Sequence, residues 1–120
     1  MPNPDERLDY VITLTGNLSF RAEPGTCQIS IRYIPDKLII SQASFAVYLS
    51  ALGEMEWANL EEAATAMLED MGNEVVVRWM QLKAMLSEGG AGAAPSHQIV
   101  LEDKQPQWGN APLLARLAVI

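Results

Sequence analysis

Tyr33-Ile34-Pro35-Asp36-Lys37-Leu38-Ile39-Ile40-Ser41 decides the fold, because this one segment ends an alternating run and prepares a helix. Upstream of it, from about Cys27, the residues Ile29, Ile31 and Tyr33 alternate with Gln28, Ser30 and Arg32, the two-residue period of a half-buried strand. Pro35 fixes φ and Asp36 can bond nearby backbone, so Ile34-Pro35-Asp36-Lys37 reads as a turn or strand bulge. Leu38-Ile39-Ile40 resumes extended structure. Ser41 then fits the N-cap of a helix with Phe45, Tyr48, Leu49 and Leu52 on one face and Gly53 as its stop.

Working outward, Tyr10 to Thr15 alternates as an earlier strand, Gly16-Asn17 is expected to break or bend it, and Pro24-Gly25 makes the two strands a hairpin. Beyond the first helix, Asn59 is an N-cap with Glu62 completing a capping box. Leu60, Ala63, Ala64, Met67, Leu68 and Met71 form the apolar stripe of a second helix that Gly72 is expected to end. Val75 to Leu86 reads as one long strand, apolar on much of both faces, with Arg78, Met80 and Leu82 alternating against Val77, Trp79 and Gln81. Gly89-Gly90-Ala91-Gly92 is a flexible connection; it lacks the Lys-Ser/Thr ending of a phosphate loop. His97 to Glu102 is the return strand.

The order strand, strand, helix, helix, strand, strand implies an α+β domain, an antiparallel four-stranded sheet with both helices on one face. Apolar residues of Val75 to Leu86 on the other face would then lie exposed, and assembly through that surface or through sheet edges would relieve the exposure. We divide the chain into a domain, residues 1–103, and a tail, residues 104–120, with Pro106, Pro112 and the apolar run Leu113 to Ile120.

With 120 residues, 49% hydrophobic and 19% charged, the chain suits one globular domain. Its formal net charge of −7, from 8 Lys plus Arg and 15 Asp plus Glu, with no basic cluster, disfavours nucleic acid, anionic membranes and polyphosphate cofactors as partners. No apolar run has the length of a membrane span and the N-terminus is polar and acidic, so a cytoplasmic location is expected. Cys27 is the only cysteine, which rules out an intramolecular disulfide.

The element order and the run Tyr33-Ile34-Pro35-Asp36-Lys37-Leu38 resemble the 7-cyano-7-deazaguanine reductase (QueF) family, whose second strand carries a similar Tyr-x-Pro-Asp-Lys-Leu run. Tyr10, Ser44, Tyr48-Leu49, Glu61 and Arg78-Trp79 extend the similarity over roughly Asn3 to Gly90. The resemblance implies a tunnelling fold: a homo-oligomer in which the sheets of several subunits join edge to edge into a barrel, with sites between neighbours. It implies NADPH-dependent reduction of a nitrile on a deazapurine, in the pathway to the tRNA nucleoside queuosine, through a cysteine that attacks the nitrile.

The chain departs from that pattern at the chemistry. The family's Cys-Pro-x-Thr-Gly-Gln-Pro-Asp segment is not found; Glu23-Pro24 or Leu18 aligns with its Cys-Pro, depending on the placement of the gap. Its motif Glu-x-Lys-Ser-x-Lys-x-Tyr becomes Ser41-Gln42-Ala43-Ser44-Phe45-Ala46-Val47-Tyr48, with both lysines replaced by alanine, and the late Asn-Pro-Arg-Gly-Gly becomes Leu86-Ser87-Glu88-Gly89-Gly90. No cofactor is therefore expected unless the family activity is kept with NADPH. Glu61 aligns with the family glutamate that grips the amidine-like edge of the heterocycle, though the preceding histidine is Leu60 here.

Three functions follow as expectations. The first is a divergent relative that binds a purine- or pterin-like heterocycle between subunits through Glu61, with Ser44 beside it and no thiol chemistry. The second is a non-enzymatic scaffold or partner-binding oligomer. The third is an active nitrile reductase using Cys27. Each candidate has a plainer reading: Glu61 as an acid favoured at a helix N-terminus, Ser44 as an ordinary first-turn serine, Cys27 as a small buried hydrophobe. Other tunnelling-fold families hold zinc with several His or Cys; His97 has no such companions in the sequence, so no metal is expected.

Overall fold

The computed structural model describes residues 1–19, 26–55, 57, 59–87 and 97–117. Strands β1 (Ile12–Leu18), β2 (Thr26–Ile34), β3 (Trp79–Ser87) and β4 (His97–Lys104) form one four-stranded antiparallel sheet in the order β1-β2-β3-β4. Between β2 and β3 run the helices α1 (Gln42–Gly53) and α2 (Leu60–Val75), and a short α3 (Ala111–Leu114) follows β4. The α+β class and the ββααββ order are as the residue pattern implied, and α3 is an addition within the tail. Pro24-Gly25 and the Gly89–Gly92 connection lie outside the described residues.

The register shows why one face of the sheet is the core. Leu14 pairs with Ile31, Ile31 with Leu82 and Leu82 with Leu101, so a single row of large apolar side chains crosses all four strands. The rows on either side hold Tyr33 with Met80, and Ile29 with Ala84. Phe45, Leu49 and Leu52 of α1 and Leu60, Ala64, Met67 and Met71 of α2 join these residues in one buried cluster. Both helices therefore cover the same face, α1 over β1 and α2 over β3 and β4. Their N-caps are those the sequence implied: the Ser41 side chain accepts from the Ser44 N–H and the Asn59 side chain from the Glu62 N–H. Each such cap contributes about 1 kcal/mol.

Gly16 does not break β1, which runs through it to Leu18. The glycine is there for α1: a Cβ at Gly16 would lie 2.5 Å from the Leu49 side chain, and one at Gly53 would lie 2.6 Å from the Ser19 backbone oxygen. The close approach of helix to edge strand thus depends on two missing side chains, a packing cause that a strand-breaking reading overlooks.

Gly72 likewise does not end α2, which continues to Val75 and closes on Val76 at φ 48, ψ 61, its N–H bonded to the Gly72 oxygen. Left-handed backbone is normally given to glycine, and a β-branched residue there carries a steric cost of about 1–2 kcal/mol. Val76→Gly is therefore expected to raise stability by about 1 kcal/mol, seen as a higher midpoint in urea with an unchanged slope.

The strand expected from Val75 to Leu86 is shorter at its start, because Val75 belongs to α2 and pairing begins at Trp79. The expectation of an apolar second face holds only in part, because Gln81 and Lys83 interrupt it on β3 itself. Thr13 and Thr15 of β1, Ser30 and Arg32 of β2, Gln81 and Lys83 of β3 and Glu102 of β4 occupy the uncovered side, and Arg32, Gln81 and Glu102 hydrogen-bond in a row across it. Its apolar members are Ile34 and Trp79, paired and enclosed at one end of the sheet, the half-buried Met85, and Val100, which is 41% exposed beside Lys83.

Candidate functional site

Glu61 occupies the first turn of α2, directly after the capped start, where the helix dipole favours a carboxylate. Its Oε1 lies 2.5 Å from Nε2 of His97, the first residue of β4. Both side chains are about half exposed, 48% for Glu61 and 41% for His97, so the pair forms an open corner rather than a buried bridge. The carboxylate accepts its own backbone N–H and the His97 ring, and these hold its pKa below the ordinary glutamate range against the opposing pull of partial desolvation. It is thus ionised at neutral pH, with lone pairs left for a ligand that offers adjacent N–H donors.

The corner also lies on an edge. β4 is the last strand of the sheet, and no other described strand pairs with its outer side. Opposite His97 on β3 is Leu86, and opposite Leu86 on β2 is Cys27. Cys27 therefore shares a row with the histidine, two strands inward, or about 10 Å at the usual strand spacing. Its relative exposure is 0%, and it belongs to the core cluster beneath the helices. A sulfur enclosed in this way has no path to an incoming electrophile.

Ser44 is not brought to Glu61 within the chain. The C-terminal end of α1 lies against Leu18 and Ser19, in the row that leads across to Leu86 and His97, whereas Ser44 sits nine residues before Gly53, roughly 13 Å along the helix. Its hydroxyl accepts from Ser41 at 2.8 Å and completes the α1 cap. Tyr33 and Tyr48 are likewise engaged internally. The Tyr33 oxygen accepts the Ile40 N–H at 2.9 Å, and Tyr48 donates to Asp70 at 2.6 Å, tying α1 to α2. Burial, together with the Asp70 carboxylate for Tyr48, raises both phenol pKa values.

A larger cluster escaped the sequence reading. Arg78, just before β3, contacts Asp9 at 3.0 Å and Asp36 at 3.2 Å, and donates to the backbone oxygens of Glu6 and Leu8. The remaining carboxylate oxygens accept from Gln105 and Asn110 in the tail. Asn3, 7% exposed, donates to the Asp36 oxygen and accepts from Tyr10. The Pro35-Asp36 turn is therefore the centre of a clamp joining the N-terminal arm, the β3 entry and the tail. The only local signal was a lone arginine interrupting an apolar run.

Among the described residues no three His, Cys, Asp or Glu side chains converge as a metal site would require, and no helix is long and apolar enough to cross a membrane. No protein-family model matches the chain, and no curated protein matches it.

Proposed function

We propose that this chain is a subunit of a tunnelling-type, edge-paired homo-oligomer, related to the QueF reductases, that binds a purine- or pterin-like heterocycle between subunits without thiol chemistry. The observation that carries the reading is the Glu61 carboxylate, ionised, half exposed and held by His97 at an edge strand that no other described strand pairs on its outer side. A neighbouring copy adding to β4 would arrive beside that carboxylate, which supports a site shared between subunits. The mainly polar uncovered face supports the same arrangement. A barrel of many strands is too wide for side chains to fill, so its wall faces water.

Cys27 takes no part, and with alanines at 43 and 46 nothing in α1 would counter the phosphates of NADPH. The nearby second reading, an oligomeric scaffold with no ligand, draws on the same buried sulfur and differs only at Glu61. Calorimetry with guanine, 7-deazaguanine derivatives and pterins separates them. Wild type is expected to bind at least one class, with Glu61→Gln weakening it about a hundredfold, the loss of a charge-assisted bidentate contact. Affinity should also fall as pH drops through the depressed Glu61 pKa, because the protonated acid no longer accepts two donors. Equal behaviour of wild type and variant toward every ligand leaves the scaffold reading.

A further inference from the structure

We infer that the groove at the C-terminal end of α2 is a binding site for a small organic cation, an alkylammonium group carried on an apolar stem. The groove has a volume of about 420 Å³ and lies between the last turns of α2 and the opposing ends of β3 and β4. Met80 is buried, and Leu68 and Val77 are half buried against the core; these give the groove an apolar interior. Glu69 and Asp103 are exposed lining residues that bring carboxylates to its mouth. The volume falls within the range, about 300–1,000 Å³, of sites that hold small molecules.

The charge distribution selects the occupant. The C-terminal end of a helix carries partial negative charge from its unbonded carbonyls, and proteins ordinarily answer it with Lys, Arg or His. α2 has no basic residue in its last turn and places Glu74 there instead. The lining residue Lys104 directs its ammonium to the Trp108 oxygen, 3.3 Å away, and Gln105 donates its side-chain amide to the Val76 oxygen, also at 3.3 Å, leaving the helix end without a cation. The opening thus sets two carboxylates against one lysine, at a helix end with no basic residue of its own, around an apolar hollow. The net acidic lining disfavours an anion, and an ammonium on a hydrocarbon stem meets both the carboxylates and the apolar interior. Strained Val76 adjoins the same groove, a second local preference set aside at this position.

The site is separate from the Glu61 corner, at the other end of α2 and roughly 22 Å away along the helix. The test uses full-length protein and three probes of one length: n-hexylammonium, n-hexanol and hexanoate, followed by amide NMR shifts and calorimetry. Hexylammonium is expected to shift Gly72, Val76 and Val77 and to bind at least tenfold more tightly than hexanol, with hexanoate inert. Glu69→Gln combined with Asp103→Asn should abolish the tenfold preference while the remaining amide spectrum is retained. Glu61→Gln should leave it intact, so failure here is distinguishable from failure of the heterocycle site. Equal binding of hexanol and hexylammonium, shifts located elsewhere, no binding, or a preference that survives the double variant would each overturn the assignment.

Discussion

Arg78→Met is expected to destabilise the protein by about 2–3 kcal/mol, between the scales of exposed and fully buried ionic networks. The side chains of Arg78, Asp9 and Asp36 are 16%, 24% and 29% exposed, so the two carboxylates would lose their shared counterion where water only partly replaces it. The variant also deletes the donors that fix the Glu6 and Leu8 oxygens, loosening the N-terminal arm from the β3 entry. Arg78→Lys keeps the charge but loses the planar fork that reaches two acids and two carbonyls, and should recover less than half of the loss. Urea denaturation checks both: a lowered midpoint with an unchanged slope is expected, and a change below about 1 kcal/mol for Arg78→Met would show that the clamp is incidental.

The second large effect concerns Cys27. In the native state its sulfur should react with a thiol-specific reagent on the order of a thousandfold more slowly than in denaturant, because modification must wait for opening of the core, and an opening free energy near 5 kcal/mol suppresses the reactive population by at least that factor. A catalytic thiol would behave in the opposite manner, reacting faster folded than unfolded. Reaction kinetics in the absence and presence of urea decide this directly. Fast labelling of native protein would revive the nitrile reductase reading and remove the basis for assigning a ligand role to Glu61 alone.

The parts of this fold that could be read from residues are those governed by local rules. Ser41 and Asn59 announce their helices because a cap satisfies amides within three residues of itself. β2 and β4 are visible because their faces differ in polarity along the strand. Glycine and proximity in space were the difficulties. Gly16 and Gly72 read as breaks, yet one makes room for α1 and the other lies inside α2, which ends instead on a valine in a conformation no propensity favours. The Arg78 clamp joins residues 42 to 72 positions apart, and His97 reaches Glu61 across 36. Neither has a local pattern. Glu61 was a candidate only through a family likeness, whereas the histidine beside it is supplied by β4 and depends on the sheet register.

The edge-shared site is tested most directly by native mass spectrometry of the chain with a pterin or guanine ligand bound by calorimetry. The account predicts a closed ring of identical subunits, with ligand retained on the ring and absent from monomer released by dilution, and with Glu61→Gln still forming the ring but carrying no ligand. A chain that remains monomeric across the accessible concentrations, or ligand that stays on the monomer, would contradict it.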